Sequence, residues 1–163
     1  MSYEFIIRIV VAALLGGLIG LDREYRAKEA GFRTHFLVAL GSALFMIISA
    51  HGFQDVSQLI ADPDSGVRLD VSRIAAQIVT GIGFIGAGTI IFQQKGNAVR
   101  GLTTAAGLWV TAAIGMACGG GMYLLASVAT LLVLAGLEAF NFMLRKINNK
   151  RDSNKQQNEE QDA

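Results

Sequence analysis

Ionisable residues are sparse in this chain, and those inside apolar runs are the first candidates for chemistry. Arg8 lies in the first run with Glu4 one turn before it, a spacing that predicts an ion pair on one helix face. Arg73 and Gln77 stand four apart in the third run. Glu138 lies in the fifth run, seven residues before Arg145. It suits a structural ion pair as well as a carboxylate on a proton or cation path. A denser cluster follows the first run, where the sequence reads Asp22-Arg23-Glu24-Tyr25-Arg26-Ala27-Lys28-Glu29-Ala30-Gly31. Asp22 with Arg26 and Glu24 with Lys28 are acid-before-base pairs, so the first helix is expected to run on and stop at Gly31. Arg33 and Thr34 open the second helix, and Arg100, Gly101, Thr103 and Thr104 open the fourth. A helix N-terminus capped by Thr beside an Arg attracts an anion. That anion is Asp22 or Glu24, giving an internal salt bridge, or a phosphate from outside.

Other candidates carry less. Asp55, Asp62, Asp64 and Asp70 lie between the second and third runs, but Gly66, Val67 and Arg73 occupy positions where a calcium loop needs ligands. An acidic solvated loop is the expected reading. Cys118 has no sequence partner, and His35 and His51 sit at opposite ends of the second run. Gly81, Gly83 and Gly86 spell a dinucleotide fingerprint, yet in mid-run rather than at a strand-to-helix turn, with Thr103 and Thr104 where an acid should follow. Close helix packing, with a local break, is expected there instead. No nucleophile–base pair and no metal-ligand spacing is present, so neither an enzyme nor a cofactor is expected, and the sequence names no metal site.

The elements that position these residues follow from composition. Charged residues make up 17% of the 163-residue chain, against about 25% in soluble domains. A net charge of +1 gives no case for nucleic acid. Five stretches approach the roughly 20 apolar residues needed to cross a bilayer: 4–21, 34–51, 72–92, 102–119 and 122–144. The expected fold is an all-α bundle of five transmembrane helices over 1–144, with a polar, disordered tail over 145–163. Basic residues in the connections alternate poor and rich, which places the N-terminus outside and the C-terminus in the cytoplasm. The cluster around Asp22, Arg33 and Arg100 thus becomes a cytoplasmic mouth. Thr103, Gly107, Thr111, Gly115 and Gly119 form a ladder of small residues, a face expected to be buried against another helix.

The strings Gly20-Leu21-Asp22-Arg23-Glu24, Ala30-Gly31-Phe32-Arg33-Thr34-His35, Ser72-Arg73-Ile74-Ala75-Ala76-Gln77, Gly81-Ile82-Gly83-Phe84-Ile85-Gly86-Ala87-Gly88 and Val99-Arg100-Gly101-Leu102-Thr103-Thr104 resemble the MgtC/SapB family of bacterial membrane proteins. The resemblance covers the first four spans. It implies a five-helix bundle in the bacterial cytoplasmic membrane, linked to growth in low magnesium and to survival in acid or inside host cells. It also implies a regulatory role through membrane partners more than magnesium transport. Many members carry an ACT-like domain after the fifth helix where this chain has a short polar tail, and often Asn where it has Thr103. The leading expectation is a module that binds and modulates another membrane protein, or itself, in the bilayer. The alternative is a magnesium or other cation transporter or channel built on Glu138, Asp22 and Glu24.

Overall fold

Apolar runs of this length must satisfy their backbone groups internally when water is absent, which favours helices. In the computed structural model, described over residues 2–53, 70, 72–91 and 100–139, that is what they form. Helix α1 spans Ser2–Tyr25, α2 Phe32–His51, α3 Ser72–Ile91 and α4 Leu102–Gly119. A fifth, α5, spans Tyr123–Ala139. The first four are long and apolar enough to cross a membrane. Residues 140–144 of the expected fifth span lie outside the described residues, as do the 145–163 tail, Asp55, Asp62 and Asp64. The chain divides into two units, 1–130 and 131–163. Of the second, the described part is the last turns of α5, with Glu138 exposed.

Within the first unit the helices alternate in direction. Arg8 near the start of α1 meets the end of α4 at Gly119. Phe5 stacks near His51 at the end of α2, with ring centres 4.9 Å apart. At that same end Ser49 Oγ accepts from the Ala75 N–H at 3.2 Å, satisfying an N–H that the first turn of α3 leaves without a helical partner. The opposite end gathers the finish of α1 and the starts of α2 and α4.

Helix α2 is gripped from two sides at Ala39. Gly16 of α1 lies so close that a Cβ there would strike the Ala39 Cβ and come within 2.8 Å of the His35 carbonyl oxygen. Gly115 of α4 lies against the Ala39 carbonyl, and its Cβ would fall 2.9 Å from that of Ser42. Gly119 repeats the contact one turn on, where a Cβ would meet the Ala43 carbonyl at 2.6 Å. The ladder on α4 is therefore buried at Thr111, Gly115 and Gly119, but Gly107 is half-buried and Thr103 exposed. The neighbouring Thr104 is buried in its place, because α4 turns its first-turn inner face one residue away from the strict four-residue row. Leu108 and Ala112 of α4 then pack with Ile82 of α3 and Ala30.

Two expectations are corrected here. First, α1 ends at Tyr25 rather than near Gly31. The Ala27 N–H bonds the Glu24 carbonyl at 2.9 Å and the Lys28 N–H bonds the Arg23 carbonyl at 3.0 Å. With Ala27 at φ 50°, this is a Schellman closure built without glycine, and it separates Lys28 from the helix face carrying Glu24. Gly31 instead precedes α2 in extended conformation. The end of α4 closes the same way, with Gly121 at φ 79° and the Met122 N–H on the Ala117 carbonyl at 2.8 Å.

Second, α3 is unbroken, and its glycines are not uniformly packed. Gly86 rests on Ala105 of α4, but Cβ atoms at Gly81, Gly83 and Gly88 would meet nothing within 4 Å. Only 17% of the apolar window of α3 is buried, against 56% for α4, so α3 is the least covered of the four membrane-length helices.

Gly115→Val should therefore lower stability by about 1–3 kcal/mol or more, since the obstacle is backbone that cannot rotate away. Ala27→Gly should raise it by about 0.5–1 kcal/mol by relieving the left-handed alanine. Thermal unfolding of the purified variants in detergent measures both. An unchanged midpoint for Gly115→Val would mean that α2 and α4 do not touch at Ala39.

Candidate functional site

The Schellman turn after α1 sends residues 26–31 across the end of the bundle, and the carboxylates of this segment fasten it. Asp22 Oδ1 accepts from Arg26 Nε at 2.8 Å, the pair its spacing called for. Glu24 Oε2 accepts from the Phe32 N–H at 2.7 Å, so Glu24, not a threonine, caps α2. Gly31 allows this approach, because a Cβ there would lie 2.7 Å from the same oxygen. Thr34 is half-buried inside the first turn and makes no cap. At α4 the residue before the helix is Gly101, at φ 88°, and again no side chain caps it. Thr104 Oγ1 instead donates to Glu29 Oε2 at 2.6 Å, tying the loop after α1 to α4. That hydroxyl, with the Glu29 backbone N–H, holds the Glu29 carboxyl below its ordinary value.

Beneath this layer lies Arg23, only 5% exposed, whose charge acts on both Glu29 and His35. His35 is fully buried. Its Nδ1 lies 2.8 Å from Thr111 Oγ1, and that hydroxyl donates to the Gly107 carbonyl at 2.8 Å. The Thr111 hydroxyl thus lies between His35 Nδ1 and the Gly107 carbonyl in the interior of the bundle. His35 Nε2, Arg23 Nε and Asp22 Oδ2 are buried without a hydrogen-bond partner among the described residues. Arg33, Lys28 and Arg100 are exposed around them. The carboxylates of this end are engaged in holding helix ends and an arginine, while its outer rim presents positive charge.

The remaining candidates lie elsewhere. Arg8 bonds Glu4, donates to the Gly119 carbonyl at 2.8 Å and packs over Phe5 at 5.6 Å, closing the other end of the bundle. Arg73 and Gln77 are both exposed on α3. Among the described residues, no three His, Cys, Asp or Glu side chains gather as a metal site would need. Sequence marks His35 only as one of two histidines too far apart for one site, and does not single out Glu29. A histidine in an apolar run whose small-residue partner helix carries Thr111 is a usable signal for the first. For Glu29, whose partner lies 75 residues away, the sequence holds none.

Comparison with known proteins gives a consistent result. The MgtC family profile matches residues 9–146. A protein of Escherichia coli (strain K12) named "Putative magnesium transporter YhiD" is 51% identical over 150 residues, which is 92% of this chain and 66% of that protein. Protein MgtC of Salmonella typhimurium (strain LT2) is 42% identical over 146 residues, 90% of this chain and 54% of its own length. Protein MgtC of Brucella abortus is 48% identical over 124 residues, 76% of this chain and 46% of that protein. The chain thus spans between about half and two thirds of the length of these relatives. No solved structure matches it.

A carboxyl held below its ordinary value of 4.5 stabilises the fold fully above that pH and ceases to as pH falls through the lowered value. Thr104→Val should accordingly melt below the parent chain at neutral pH, and the gap should close as the pH is lowered through 4.5 and below. Melting curves across that range decide it. A gap that persists in acid would mean that Thr104 contributes through packing and not through Glu29.

Proposed function

The chain belongs to the MgtC family, and on that footing we propose that it acts in the bacterial cytoplasmic membrane by binding and modulating another membrane protein. The setting is magnesium homeostasis and adaptation to low magnesium or acid stress. In this reading the N-terminus is outside, the C-terminus is cytoplasmic, and the charged end of the bundle is the cytoplasmic mouth. The observation that supports it is the division of labour at that end. Asp22, Glu24 and Glu29 fasten Arg26, α2 and α4, and exposed Arg33 and Arg100 stand at the two helix starts. A fastened platform with a basic rim offers an acidic juxtamembrane segment a preorganised contact. Small-residue faces supply the means for a helix of the partner, or of a second copy, to approach within the bilayer.

A second reading, passage of magnesium or another cation, draws on the name of the Escherichia coli relative and on the buried carboxylate oxygen of Asp22. Magnesium keeps several of its waters and needs only one or two carboxylates, which Asp22 with Glu24, or Glu138 by itself, would supply.

Arg100→Ala should insert and fold normally yet lose its crosslinked partner when the tagged chain is purified from its native membrane. Retention of the same partner at the parent level would remove the rim from the contact. In proteoliposomes the purified chain should carry no saturable magnesium flux. Flux that is present and lost in Asp22→Asn or Glu138→Gln would replace the modulator reading with the transport one.

A further inference from the structure

Helix α3 touches α2 closely near Ser49 and Ala75 and rests on α4 at Gly86, but between these contacts α2 and α3 stand apart. The gap is a groove of about 490 Å³. One wall is Leu37, Gly41 and Phe45 of α2, the other Ile78, Gly81 and Ile85 of α3. Its depth comes from the two glycines: a Cβ at either Gly41 or Gly81 would meet nothing within 4 Å. Glycines in a span usually mark where a neighbouring helix comes close. These two mark where this chain's own helices do not.

Its length and the charge at one end point to the occupant. From Ile74 to Ile85 the groove runs about 16 Å along α3, close to the roughly 15 Å of hydrocarbon in one leaflet. A single methylene chain, about 4–5 Å wide at van der Waals contact, fits. At the N-terminal end of α3 the groove finishes beside charge of both signs. Arg73 is exposed next to Ile74, and Asp70, three residues earlier, is exposed within its electrostatic reach. A guanidinium beside a carboxylate complements a headgroup that carries a phosphate and an ammonium together, and suits an anionic headgroup less.

We propose that the α2–α3 groove is a binding site for one acyl chain of a zwitterionic phospholipid, with its phosphate at Arg73 and its ammonium at Asp70. Since lipid tails are as apolar as the groove, no hydrophobic effect drives the exchange from bulk bilayer. Selection comes from the headgroup pair and from the fit of the chain between the two glycines. Gln77, which lines the groove one turn below Arg73, lies within the glycerol-ester level of such a lipid.

The test is native mass spectrometry of the full chain released from mild detergent. Phosphatidylethanolamine or phosphatidylglycerol of identical acyl composition is titrated in. The expected result is a single phosphatidylethanolamine adduct, favoured roughly fivefold over phosphatidylglycerol, the order of selectivity one exposed charge pair supplies. Gly81→Leu fills open space, so its melting temperature should match the parent, and its adduct should fall at least about tenfold. Gly41→Leu fills the groove from the other wall and serves where Gly81→Leu fails to fold. Asp70→Asn should abolish the preference for phosphatidylethanolamine, whereas Arg73→Gln should weaken the binding of both lipids. The proposal is overturned if both leucine variants keep the adduct, or if the parent binds the two lipids equally. It is overturned as well if the leucine variants convert a parent dimer to monomer without changing lipid retention, which would make the occupant a second copy.

Discussion

The close seating of α2 between Gly16 of α1 and Gly115 of α4, both at Ala39, is the constraint on which the rest of this bundle depends. Between membrane helices there is no water to exclude, so apolar side chains gain little by meeting each other instead of lipid. What remains is van der Waals contact and hydrogen bonding, and both strengthen as backbones draw together. One alanine touched by two glycines from opposite sides brings three helices to that limit in a single layer.

The polar organisation follows from that layer. With α1 and α4 both pressed onto α2, His35, four residues before Ala39, has no route to solvent and must find its partner inside; Thr111, four before Gly115, supplies it. One turn further out, Gly20 lies against Gly31 and Phe32, which brings the end of α1 near enough to the start of α2 for Glu24 to cap it. Glu29 then reaches Thr104 across the short loop. The His35–Thr111 contact and the Glu24 cap each stand one helical turn from a glycine contact, so this part of the polar layer inherits its geometry from the apolar one.

What the sequence revealed divides along the same physical line. Interactions between residues one turn apart were legible, because helix geometry alone brings them together: Arg8 with Glu4, and Asp22 with Arg26. The membrane length of the first four apolar runs and the burial of Gly115 and Gly119 were legible for a similar reason, since a period and a residue size suffice. The end of α1 was not. A left-handed residue is normally read from glycine, and at Ala27 the chain adopts that conformation without one. The glycines of α3 misled in the opposite direction. Small size permits close packing without compelling it, and whether a partner arrives depends on where α2 and α4 have already been placed. The bond between Glu29 and Thr104 lies beyond both kinds of signal, because it depends on the whole path of the chain.

The hydroxyl of Thr111 has a mechanical consequence. The Gly107 carbonyl that accepts it is also the acceptor of the helical N–H four residues on, so one oxygen serves two donors and the helical bond is weakened there. The same back-bond occurs in α3, from Thr89 to Ile85, and in α5, from Thr130 to Ala126. Each is a point of low bending stiffness in an otherwise rigid rod. In α4 that point lies between the glycine contacts on α2 and the turn that Glu29 holds through Thr104. A pull on the loop after α1 would therefore flex the first turns of α4 while leaving the grip at Ala39 in place.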